Sequence, residues 1–135
     1  MAQIVLTDVS VSINAVTLST RSTSVTINYE KEAVEVTAFG DTFRQFAGGL
    51  GSMTCDVTFQ QDFAASQVEA SVFPLVGTTT TLIFKPTSGA VGATNPSYTI
   101  TGAYLAAHTP INGGVGELAT TELSFQGGTL TKATS

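Results

Sequence analysis

Apolar and polar residues alternate along much of the chain. Val9, Val11 and Ile13 alternate with Ser10, Ser12 and Asn14, and Val16 and Leu18 continue the pattern, which predicts a half-buried strand. Ser19 to Ser22 reads as a polar turn, and Val25 and Ile27 begin a second strand. Glu30-Lys31-Glu32 predicts an exposed corner before a third strand through Val34, Val36 and Ala38. From Phe39 to Ser52 the alternation stops, in a glycine-rich loop that also carries Phe39, Phe43, Phe46 and Leu50. Loops are ordinarily polar, so these side chains must be buried against something, either a neighbouring molecule or their own core.

Met53, Cys55, Val57 and Phe59 then share one face of a fourth strand, with Thr54, Asp56 and Thr58 on the other. Asp62 predicts the N-cap of a helix over Phe63 to Phe73, with Ala65, Val68, Val72 and Leu75 at helical spacing and Glu69 facing outward. Pro74 ends it and Gly77 turns the chain into a strand over Thr78 to Lys85. A Pro86 to Pro96 loop, a strand over Ser97 to Ala107, a turn at Asn112-Gly113-Gly114 and a strand over Leu118 to Phe125 complete the pattern. Gly127-Gly128 predicts release of a flexible tail over 129–135. The expected fold is mainly β: one domain over 1–135, an antiparallel sandwich or barrel with one flanking helix.

Composition sharpens this picture. Charged residues are only 11% of the chain, against roughly 25% in soluble domains, and twenty-three threonines fill many of the polar positions. Low charge suits a surface that meets other protein. The net charge of −5 and five scattered cations exclude the basic stripe of a nucleic-acid reader. One cysteine leaves no internal disulfide and no cysteine metal cluster, and Met1-Ala2-Gln3-Ile4 lacks the start of a secretion signal. The longest apolar runs are too short to span a membrane as helices.

Candidate chemistry does not accumulate into a site. His108 is the sole histidine and stands in no motif, so a buried or capping role is expected of it. Cys55 sits mid-strand on the apolar face, as inert core. Asp56 with Asp62, and Glu30 with Glu32 and Glu35, lack both calcium-loop spacing and a tryptophan to bind a sugar. Gly48-Gly49-Leu50-Gly51 has no following Lys-Ser/Thr and so is no phosphate cradle. No enzyme activity, cofactor or metal is expected.

Three segments in order carry a resemblance. Val36-Thr37-Ala38-Phe39-Gly40-Asp41-Thr42-Phe43-Arg44-Gln45-Phe46 leads through Gly49-Leu50 into a Thr/Val strand. Phe59-Gln60-Gln61-Asp62-Phe63 and Ala70-Ser71-Val72-Phe73-Pro74-Leu75-Val76-Gly77-Thr78 follow, then Lys85-Pro86-Thr87 and Thr94-Asn95-Pro96-Ser97-Tyr98. This series, spanning roughly residues 25 to 105, resembles the tail tube proteins of long-tailed, siphovirus-like bacteriophages.

The resemblance implies the tail tube fold and a structural virion protein, stacked as hexameric rings around a conduit for DNA ejection. The implied partners are further copies of the chain, with tail terminator, tail tip and tape measure proteins. The implied place is the virion tail, assembled in the host cytoplasm. Phe39, Asp41, Phe43, Arg44, Phe46 and Leu50 are then the candidate ring-stacking or subunit interface. Asp41 and Arg44 are expected to anchor that loop, through a pair or backbone hydrogen bonds. Glu35 and Asp56 are candidates to face the lumen, because alternation points them away from the core and DNA should pass a negative or neutral wall without specific binding. A capsid decoration protein, a neck or tail-completion protein, and a monomeric host-surface binding module are the alternative readings.

Overall fold

The computed structural model describes residues 5–135; the start Met1 to Ile4, read above for a signal, lies outside them. The strands are β1 (Ser10–Ile13), β2 (Val16–Thr17), β3 (Ser22–Glu35), β4 (Phe46–Gln60), β5 (Thr79–Lys85), β6 (Ser97–His108), β7 (Thr120–Gln126) and β8 (Thr129–Ala133). One helix, α1 (Val68–Val72), continues into a short 3-10 turn over Phe73–Leu75. The strands form one antiparallel sheet in the order β2-β1-β5-β6-β7-β4-β3, with β8 beside β6 in line with β7.

The sheet folds over on itself around one core. Val11 and Ile13 of β1 and Leu82 and Phe84 of β5 join one buried cluster with Cys55, Val57 and Phe59 of β4 and Leu123 and Phe125 of β7. Burial of each large apolar side chain contributes about 1.5–3 kcal/mol. Val68 and Val72 of α1 complete the cluster. β7 passes into β8 through Gly127 and Gly128. Gly102, Gly127 and Gly128 have φ of 76°, 70° and 86°. A Cβ on Gly128 would lie 2.7 Å from the Thr101 carbonyl oxygen, so the two strands approach too closely for any side chain.

The expected elements are corrected in five places. The first strand is split by a tight hairpin at Asn14 and Ala15, both left-handed at φ 51° and 66°. Glu30-Lys31-Glu32 is no corner. It lies inside β3, where a register shift between Lys31 and Ala33 takes up the irregularity opposite Gly51 and Gly48. The loop predicted over Phe39 to Ser52 is strand from Phe46 onward, so the turn at its end spans only 36–45.

The helix is also shorter than expected. Asp62 Oδ1 accepts from the Ala64 amide at 2.9 Å, which makes a side-chain turn, and Ser66 is left-handed at φ 62°. Helix therefore starts only after Gln67, and Asp62 is not its N-cap. Residues 129–133 are strand, paired to β6 from Thr101↔Thr129 to Ser97↔Ala133.

Candidate assembly surface

β3 and β4 make a long two-stranded hairpin whose halves have different surroundings. In the lower half, Val25 and Ile27 lie opposite Val57 and Cys55 and cover the core. In the upper half, Tyr29, Val34, Phe46 and Leu50 are exposed, because no other element among the described residues covers them. The tip carries Phe39, fully exposed, and Phe43 at 79%. None of the aromatic candidates folds back onto the core. These exposed apolar side chains cluster on a regular strand pair, which makes this the candidate contact surface.

The tip is held in shape by its own polar groups. Asp41 Oδ2 accepts from the Ala38 amide at 2.8 Å, and the Asp41 amide donates to the Ala38 carbonyl at 3.1 Å. Gly40, between them, is left-handed at φ 96°, so the turn projects Phe39 outward. Thr37 Oγ1 accepts from the Gln45 amide at 2.9 Å, and the Val36 amide donates to the Gln45 carbonyl at 2.8 Å. Asp41 thus anchors the loop through backbone bonds. Arg44 does not meet Asp41; its Nη1 lies 3.3 Å from Glu35 Oε2. That pair is well exposed on both sides and is worth about 0–1 kcal/mol.

Glu35 lies opposite Phe46 near the tip, whereas Asp56 lies far down β4, opposite Thr26 and Ser124. The two carboxylates are not brought together. Asp56 belongs to the outer face of β3, β4 and β7, a field of Ser, Thr, Asn and Gln with Glu30 and Glu122. None of the chain's cations falls on it. Arg21 Nε is 2.9 Å from Asp62 Oδ2, Lys31 alternates to the opposite face, Arg44 is at the tip, Lys85 donates to Gly89, and Lys132 is on β8. The Ala64 amide, then Arg21, holds the Asp62 carboxyl below its usual range, outweighing the opposing cost of desolvation.

His108 is a structural hub. Its ring is buried, with Nε2 3.0 Å from Glu69 Oε2 and Nδ1 3.0 Å from Thr121 Oγ1. A carboxylate only accepts, so Nε2 carries a proton toward Glu69. Glu69 also accepts from Gln61 Nε2 at 3.0 Å. Glu69 therefore faces this network rather than the outward position expected from helical spacing, because His108 and Gln61 both reach its carboxylate. Burial pushes the Cys55 thiol up to about 12, which leaves it inert. Among the described residues no group of His, Cys, Asp and Glu could hold a metal, and no helix is long and apolar enough to cross a membrane.

A second apolar surface escaped the reading of the sequence. The connection between β6 and β7 exposes Ile111, Val115 and Leu118. Its Asn-Gly-Gly turn signal drew attention away from the apolar residues spaced through it, which were the available signal.

No family model matches the sequence, and no curated protein matches it either. Solved structures do. The chain is similar to one from the PVC sheath-tube complex, an extracellular contractile injection system in its extended state. The TM-score is 0.74 over 98% of this chain and 93% of that one, at 11% identity. It is similar to the SPP1 tail tube, with a TM-score of 0.70 over 95% of this chain and 77% of that one, at 14% identity. A chain in the tail of an empty gene transfer agent particle, computed with C6 symmetry, gives 0.52 over 85% and 83%, at 21% identity. The folded-over antiparallel sheet, its single short helix and its long hairpin are the tail tube fold.

Proposed function

We propose that the chain is the subunit of a phage tail tube, assembling as stacked hexameric rings. The observation that carries this is the long hairpin with an exposed apolar tip, in a chain that shares its fold over nearly its whole length with sheath-tube and tail tube subunits. An isolated two-stranded hairpin is marginal in water. Ring and stack neighbours supply the cover that its upper half lacks. Phe39, Asp41, Phe43, Arg44, Phe46 and Leu50 form the stacking surface. The outer edge of β3, paired to nothing beyond β4 among the described residues, is available to a neighbour in the ring.

The outer face around Asp56 lines the channel. It is acidic or neutral and carries no cation, so a passing polyanion meets no well in which to stop. Glu35, tied to Arg44 and to Thr37 Oγ1, contributes to the charge near the ring junction. Terminator, tip and tape measure proteins are the further partners, and the virion tail, assembled in the host cytoplasm, is the place of action. Negative-stain microscopy of concentrated protein tests the reading, with tubes or stacked sixfold rings expected. Discrete trimers identify a capsid decoration protein, single rings that never stack a neck or completion protein, and monomers refute assembly. Micromolar binding of DNA by assembled rings would overturn the assignment of the channel face.

A further inference from the structure

Two turns of this chain share one construction. In Ala38-Phe39-Gly40-Asp41 the fourth amide donates to the first carbonyl at 3.1 Å, and the first amide donates to the fourth residue's carboxylate at 2.8 Å. In Gly114-Val115-Gly116-Glu117 the same two bonds are 3.1 Å and 2.9 Å. The third residue of each is a left-handed glycine, at φ 96° and 82°. The second residue of each is a large apolar side chain standing clear of the protein: Phe39 at 110% exposure and Val115 at 108%. Around each stud lie further exposed apolar groups, Phe43 and Phe46 at the first, Ile111 and Leu118 at the second.

The two turns occupy opposite ends of the molecule. β4 begins beside the first turn at Phe46 and ends at Gln60, a run of about 3.4 Å per residue. At that far end Gln60 pairs with Thr120, the Gln61 amide donates to the Ala119 carbonyl, and Gln61 Nε2 donates to the Pro110 carbonyl. The connection bearing Val115 is thereby fixed at the foot of the hairpin, and its apolar groups are exposed among the described residues.

We infer that Gly114 to Glu117, with Ile111 and Leu118, is the receiving surface for the hairpin tip of a second copy of this chain. Opposite placement makes the contact head-to-tail: tip on foot, repeated without limit by translation. The tip's charges are Glu35, Asp41 and Arg44 and the foot turn's is Glu117, so Arg44 is the one tip group that attracts the foot. Both turn carboxylates are already engaged by their own amides, which lowers the cost of covering them. This inference rests on the tube reading and names the surface that reading left unassigned.

The test uses a tip variant, Phe39→Asp with Phe43→Asp, and a foot variant, Ile111→Asp with Val115→Asp. Each alone is expected to give single rings, because each lacks one half of the contact. Mixed, they are expected to give pairs of rings and nothing longer, since one intact tip meets one intact foot. A foot variant that still forms tubes, or that pairs its rings without the tip variant, overturns the inference while leaving the tube reading intact. Wild-type protein that forms no rings overturns both. If either aspartate variant fails to fold, oxidation of a Phe39→Cys, Leu118→Cys protein is decisive: a ladder of disulfide-linked chains is expected, and monomer alone refutes the contact. Cys55 is buried and does not interfere.

Discussion

The two halves of the β3–β4 hairpin have the same backbone and opposite circumstances. Below Tyr29 and Met53 its inner face is sealed onto the core, with Cys55, Val57 and Phe59 wholly buried. Above them the same two strands run on with both faces in solvent, carrying Val34, Phe46 and Leu50 outside. Strand pairing runs through both halves, shifted in register near Ser22 and Lys31, so the difference lies in what the side chains meet. The lower half contributes to the stability of the subunit, and the proposed assembly gives the upper half its partners. Under that proposal, exposed apolar residues on a regular strand pair are read as an interface held ready, rather than as a local fault.

The sharpest contrast between the halves is a pair of phenylalanines. Phe59→Ala should destabilise the subunit by about 3–5 kcal/mol, the cost of a cavity in the core, whereas Phe43→Ala should change unfolding by less than about 0.5 kcal/mol yet suppress assembly. Denaturant titration beside negative-stain microscopy checks both, and equal loss of stability in the two variants would erase the distinction. Glycines give the next test. Gly128→Ala, crowded by the Thr101 carbonyl and left-handed, should cost about 2–4 kcal/mol. Gly40→Ala, left-handed but in open space at the tip, should cost only about 1–2 kcal/mol, read from the two melting curves.

Smaller effects belong to the polar groups. Glu69→Ala leaves the buried His108 Nε2 without its acceptor and should lower stability by about 1–3 kcal/mol, with hydrogen exchange accelerating first in α1. Arg44→Ala, which breaks only an exposed pair with Glu35, should shift subunit stability by less than about 1 kcal/mol. Its larger consequence should appear in the salt dependence of stacking, measured by sedimentation. A melting temperature several degrees lower for Arg44→Ala would place the arm's stability within the subunit after all.

Much of the strand content could be read from alternation alone. The buried faces of β4, β5 and β7 follow it, since a strand with one face in the core must present every second residue there. The burial of Cys55, on the apolar face of its strand, and of His108, which stood in no motif, was legible too. The apolar content of Phe39 to Leu50 was legible as apolar side chains needing cover, which the structure leaves exposed, and the ordered motifs around it resembled tail tube proteins. The boundaries of elements were less legible. Asp62 and the helical spacing after it satisfied every local rule for a helix start, but Ser66 turned left-handed and the chain was folded otherwise.

Tertiary structure alone decided the rest, wherever the outcome depended on pairing between distant residues. Thr129 to Ala133 has no local signal stronger than a polar tail, yet it becomes strand because the free edge of β6 lies beside it once β7 has passed Gly127-Gly128. Glu30-Lys31-Glu32 looks like a corner until β4 lies opposite and carries the strand through it. That Phe39 and Val115 stand on matching turns at opposite ends of one molecule is visible only when β4 is laid out between them. Alternation reports which face of a strand is apolar, by local sterics, but which strand lies next to it is set by the free energy of the whole core.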